Sequence, residues 1–275
     1  MTDLRFACSN IAWSDQDASE ALALLRENGV SGIEVAPTRI WPDWQGASLA
    51  SARRWAAQFA DMGFCVPSIQ ALLFGKPDAQ LFGADGGRAF EAHLRDLAPL
   101  GGALGARAAV LGAPRNRQRG NMPSDAAEAH ACDVFRRLAV VYADAGMVLA
   151  LEPARPEYGG DFITTTADAL RMAERVDHPG LGVHLDAAAL HSAGERLADI
   201  WDLSRGRHLA HYQLSEPDLG GFETPVAPHL DNLAFLQRVA WQGWCAIEMR
   251  AQPQGLKQSG PWGLLAAARR AACMG

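Results

Sequence analysis

Short apolar runs of β-type residues alternate along the chain with longer segments whose apolar residues recur every three or four positions. The runs are RFACSNIAW (5–13), GIEVAP (32–37), CVPSIQALL (65–73), ARAAVLGAP (106–114), MVLALEP (147–153), LGVHLDAAA (181–189), HLAHYQLSE (208–216) and GWCAIEMR (243–250). Between them, stretches such as DASEALALLRENG, SARRWAAQFADMG, AHACDVFRRLAVVYADAG and HLDNLAFLQRVAWQG read as amphipathic helices that end near glycine. Cap chemistry marks the starts: Ser14 precedes an acidic turn, and the threonines of ITTTADAL precede an apolar run. Eight strand and helix pairs spread over about 250 residues predict an α/β fold, a single-domain (β/α)8 TIM barrel over residues 1–275, rather than a doubly wound sheet. Neither GxGxxG nor GxxxxGK[ST] occurs, so nothing calls for a dinucleotide or a P-loop nucleotide.

The strands of a closed parallel barrel are covered outside by helices and filled inside by side chains, so a charge survives only near an end. MVLALEP holds its first charge, Glu152, to the end of the run, and the pattern recurs with Glu34, Asp186, Gln213 and Glu248. Period-two alternation sets His184 on the face of Asp186, His211 and Ser215 on that of Gln213, and Arg250 on that of Glu248. Carboxylates converging on one barrel mouth repel unless a cation neutralises them, so a divalent metal is expected. Oxygen-rich ligands favour Mg²⁺ or Mn²⁺ over Co²⁺ or Zn²⁺.

Composition narrows the classes. Lys and Arg total 25 against 31 Asp and Glu, a formal net charge of −6 with no basic run, which disfavours a nucleic-acid partner. Five scattered cysteines, Cys8, Cys65, Cys132, Cys245 and Cys273, form no CxxC pair and signal neither a disulfide framework nor a thiolate zinc site. No apolar run approaches the ~20 residues of a membrane helix and no leader pattern opens the chain, so no membrane partner and a cytoplasmic location are expected.

The segments SNIAW, GIEVAPTRIW, SIQALLFGKP, LGAPRNR, LEPARPEYGGDF, GVHLDAAAL, LSEP and AIEM together resemble the xylose isomerase-like TIM barrels, the sugar phosphate isomerases and epimerases related in fold to endonuclease IV. The resemblance spans strands one to eight. It implies metal ligands at Glu152, Asp186, Gln213 and Glu248, and a reaction in which Glu152 and Glu248 move a proton at the carbon beside a carbonyl. Two positions depart from the family pattern: Gln213 stands where many members carry histidine, and the Asp-x-x-His after strand six reads DAAA, ending in Ala189, with His191 two residues late.

The same site could epimerise, isomerise or eliminate a β-hydroxyl as a dehydratase or lyase, and a non-catalytic sugar-binding barrel is the reading that Gln213 and Ala189 motivate. A zinc-cluster endonuclease is disfavoured by the few strand-end imidazoles. Candidate polyol contacts are Glu34, Gln70, Asn116, Arg117, Tyr158, Asp161, His184, His211, Glu216 and Arg250, with Arg117 a candidate for a phosphate or carboxylate and Trp13, Trp41 and Phe74 for stacking on a sugar. His93, His130 and His178 are expected in solvent, and QGLKQSGPW as a loop. The expected partner is a small sugar or sugar phosphate, and a homodimer or homotetramer is an analogy from fold alone.

Overall fold

In the computed structural model, which describes residues 3–204 and 206–274, with side chains of residues 271–274 left aside, each predicted run contributes one strand. The strands are β1 (Arg5–Ser9), β2 (Gly32–Glu34), β3 (Ser68–Ile69), β4 (Ala108–Leu111), β5 (Val148–Leu151), β6 (Leu181–Asp186), β7 (Leu209–Ser215) and β8 (Trp244–Glu248). They form one parallel sheet in the order β2-β1-β8-β7-β6-β5-β4-β3. Two isolated bridges, Gly32 with Cys65 and Val35 with Ile69, join its outer strands and bring the barrel close to closure.

The helices follow the apolar spacing: α1 (Ala18–Glu27), α2 (Leu49–Asp61), α3 (Arg88–Leu104), α4 (Ser124–Asp144), α5 (Thr166–Val176), α6 (Ala187–Ala193), α7 (Leu197–Ser204), α8 (His229–Arg238), α9 (Leu256–Ser259) and α10 (Trp262–Met274). On α3, Phe90, Leu94 and Leu97 fall on one face and are all buried in the hydrophobic core, each contributing about 1.5–3 kcal/mol by leaving water. The threonine run starts α5 through a capping box, in which the Thr165 side chain accepts from the Asp168 backbone and Asp168 accepts from Thr165. Ser14 instead donates its hydroxyl to Asp17, 2.5 Å away, and caps no backbone group.

Several sequence expectations change. QGLKQSGPW is not all loop, because Leu256–Ser259 folds into α9 and buries Leu256. His93 and His130 do not point freely into water, since their Nε2 atoms bond the carbonyls of Leu72 and Leu81. Trp13 and Trp41 pack in the core, with the Trp41 indole donating to Ser51, and Phe74 stands 69% exposed. Cys8, Cys65, Cys132 and Cys245 are free thiols, while the side chain of Cys273 lies outside the described residues. Among the described residues no helix is long and apolar enough to cross a membrane.

Candidate active site

The C-terminal ends of the strands open into a cavity of about 550 Å³, within the range of about 300–1,000 Å³ typical of small-molecule sites. Glu152, Asp186 and Glu248 all line it. Glu152 stands directly after β5, its backbone N–H bonded to the Leu111 carbonyl, so the sheet register continues through it. Asp186 ends β6 and caps α6, one oxygen accepting from the Ala189 N–H at 2.7 Å and the other from the Ser215 hydroxyl. Glu248 ends β8, paired in register with Ser215 of β7.

The local environment raises the proton affinity of these acids. Burial, with repulsion from Asp186 next, pushes Glu152 up to about 8, and Arg117 offsets only part of that. Burial also raises Asp186 against the pull of its Ser215 and backbone hydrogen bonds. Glu248 rises well above the carboxylate range through burial and then through Asp186 and Glu152. One carboxylate oxygen from each of Glu152 and Asp186 lies within 4.8 Å of a His184 ring nitrogen and of the other.

Beneath the cavity runs a second, fully buried polar layer. Glu34 accepts from His211 Nε2 at 2.7 Å, Ser68 Oγ at 2.7 Å and Gln213 Nε2 at 2.6 Å. Burial alone would raise the Glu34 carboxyl, but the His211, Ser68 and Gln213 hydrogen bonds outweigh it and hold the group below its ordinary range. The Gln213 Oε1 faces His184 Nε2 at 2.7 Å. Burial, reinforced by the neighbouring His211, depresses His184 to about 3, so its ring is neutral, and its Nδ1 is buried without a partner.

Seven of the sequence candidates meet at the cavity: Gln70, Glu152, Tyr158, Asp186, Glu216, Glu248 and Arg250. Glu216, however, spends its carboxylate on the backbone N–H groups of Val226 and Ala227 and on His229. Arg250 donates to the Asp218 carbonyl, and Tyr158 stands at the rim, 46% exposed. Glu34, His184, His211 and Gln213 lie in the layer below. Asn116 ties down the loop after β3 through the carbonyls of Lys76 and Ala79, and Asp161 accepts from the backbone of Arg119 and Gly120, so neither reaches the cavity. Arg117 is fully buried, donates from Nε and Nη2 to the carbonyls of Gly112 and Glu152, and does not line the cavity where a phosphate would sit.

Three contributors escaped the sequence reading. Ser215 holds Asp186, Arg155 lines the cavity, and Gly112 makes room for Glu152: a Cβ on Gly112 would collide with the Glu152 carboxylate. Ser215 had a visible signal in its shared strand face with Gln213, whereas Arg155 and Gly112 had none apart from their nearness to strand ends.

The profile of the family described as xylose isomerase-like TIM barrel matches residues 22–264, and the chain belongs to that family. Among solved structures, the apo 3-keto-D-glucoside 4-epimerase of E. coli is 18% identical with a TM-score of 0.76, over 98% of this chain and 100% of that one. A D-allulose 3-epimerase from Methylomonas sp. is 18% identical with a TM-score of 0.71, over 100% of this chain and 98% of that one. A probable 3-DHS dehydratase from Bacillus anthracis is 16% identical with a TM-score of 0.69, over 98% and 99% respectively. At such identities the likeness is one of fold. No curated protein matches the chain in sequence.

Proposed function

We propose that the chain is a divalent-metal-dependent epimerase or isomerase of a sugar or keto-sugar, acting by proton transfer at the carbon beside a carbonyl. The observation that carries this is the convergence of Glu152, Asp186 and Glu248 on one cavity, all with raised proton affinity. Three carboxyl groups so placed require positive charge to ionise together, and a His184 ring nitrogen within 4.8 Å of an oxygen of Glu152 and of Asp186 suits a cation as well. The residues therefore fit a metal. Glu152, Asp186 and Glu248 would hold it, and the mixed oxygen and nitrogen donors suit Mn²⁺ or Co²⁺ at least as well as Mg²⁺ or Zn²⁺. When bound, it would polarise the substrate carbonyl.

The chain's own groups supply the rest. Glu152 and Glu248 enter the cavity from strands separated by β6 and β7, so one can take a proton from a carbon while the other returns it. Return to the opposite face inverts the centre; return to the neighbouring carbon isomerises. Gln70, Tyr158, Arg155 and Arg250 offer donors to hydroxyl groups, and Leu72, Val110 and Leu219 give an apolar wall, a mixture that suits a polyol. The named epimerases of similar fold act on keto-glucosides and ketohexoses, which makes these the first substrates to try. Departure of a β-hydroxyl from the same carbanion would instead give elimination, and the dehydratase of similar fold motivates including it.

The test is incubation with Mn²⁺ in D₂O of D-allulose, D-fructose, D-tagatose and a 3-keto-glucoside, read by NMR. Deuterium wash-in beside the carbonyl is expected, and Glu152→Gln or Glu248→Gln should lower its rate about 10²–10⁴-fold, the range for removal of a general base. Absence of exchange and elimination across the set, with cation bound, would contradict the proposal, as would an unimpaired double variant.

A further inference from the structure

Gln213 contacts two side chains that together fix which way its amide faces. Its Nε2 donates to Glu34 Oε1 at 2.6 Å, and its Oε1 lies 2.7 Å from His184 Nε2. Turning the amide over would set a carbonyl against a carboxylate that already accepts from His211 and Ser68, so the donor end belongs to Glu34. A carbonyl oxygen only accepts, so the hydrogen of this bond belongs to His184 Nε2. In a neutral imidazole with Nε2–H, Nδ1 carries a bare lone pair. That Nδ1 is buried and has no partner in the protein. A His184 ring nitrogen lies within 4.8 Å of a carboxylate oxygen of Glu152 and of Asp186, and Nδ1 is the nitrogen not already engaged.

We propose that Gln213 is a positioning residue rather than a ligand: held by Glu34, it sets the tautomer of His184, whose Nδ1 supplies the imidazole nitrogen of the cation site from β6. The proposal rests on the reading that a divalent cation binds between Glu152 and Asp186. It explains how a chain with glutamine at position 213 keeps a nitrogen donor, and why Gln213 Oε1, expected from sequence as a ligand oxygen, is not available. Ligating histidines commonly donate their second ring N–H to a carbonyl or carboxylate, which fixes the ring and raises its basicity; here the chain from Glu34 through Gln213 performs that role.

Pulsed EPR of the Mn²⁺-loaded full chain tests this without relying on activity. Wild-type protein should show ¹⁴N coupling to Mn²⁺, and His184→Gln should lose it. Gln213→Met, which keeps the imidazole but removes its clamp, should bind Mn²⁺ about 10–100-fold more weakly by calorimetry, with the coupling reduced. Mn²⁺-loaded wild type lacking ¹⁴N coupling, coupling retained in His184→Gln, or wild-type affinity and coupling in Gln213→Met would each overturn the assignment while leaving the cation reading intact. A wild-type protein that binds no Mn²⁺ at all would instead defeat the cation reading, and this assignment with it. The wild-type spectrum needs no substitution, so the test survives a variant that fails to fold.

Discussion

Glu152 concentrates the chemistry of the site at the scale of one residue. Its proton is held to about 8 by burial and by Asp186, so at pH 7 the cation-free protein carries a carboxylic acid there. The folded state thus binds a proton that the unfolded chain has released, and the cation-free protein should lose stability as pH rises from the ordinary carboxylate range through about 8. A bound cation competes with that proton. Mn²⁺ binding near pH 7 should therefore release protons and tighten as pH rises toward 8, by up to about tenfold per unit where one proton is displaced. Calorimetry in two buffers of different ionisation enthalpy reads the release directly, and a binding enthalpy independent of buffer would show that Glu152 is not the group displaced.

The three acids were legible in the sequence because charge is costly in a strand buried on both faces, so a carboxylate closing an apolar run points to the barrel mouth. The inner layer was only half legible. Alternation placed His184 on the face of Asp186, but its free nitrogen depends on which way the Gln213 amide faces, and that is set by Glu34 from the opposite side of the barrel. Asn116 and Asp161 read as polyol contacts because they follow strands, whereas in the fold they satisfy backbone groups of other loops, a pairing that one stretch of sequence does not contain.

At the scale of elements, the runs located every strand but overstated their lengths. The run at 65–73 yields only the two residues of β3, since Pro67 has no N–H to give to a ladder and Ala71 turns the backbone to φ 54°. This short strand and the loop after β4 set the shape of the cavity. Gly112, directly after β4, lines it, and Arg117 clamps the Gly112 and Glu152 carbonyls together. Gly112→Ala should fold, because the obstruction is the flexible end of a side chain, yet displace the Glu152 carboxylate. We expect it to lower proton-exchange turnover by at least about tenfold, on the principle that misplacing a catalytic group is costly, while shifting Tm by only a few degrees. Full activity in Gly112→Ala, measured beside thermal melting, would show that the tight fit around Glu152 is not needed.

At the scale of the molecule, the barrel brings together residues that the chain keeps far apart. Glu34 and Gln213 are bonded across 179 positions, and the circle from β2 round to β3 closes through two bridges and the Ser68 to Glu34 hydrogen bond. The eightfold alternation was readable because each unit carries its own pattern, whereas the register shift between Val183 and His184, which governs how β6 meets β7, has no counterpart in composition. The barrel crowds three acids at its mouth, and the proposed cation would offset their mutual repulsion. The metal content of the chain therefore tests the account most directly: wild type and Asp186→Ala, saturated with Mn²⁺, passed through gel filtration and analysed by ICP-MS. Near-stoichiometric Mn is expected in wild type, with its loss in Asp186→Ala; metal-free wild type, or equal occupancy in both, would rule out a cation held by these acids.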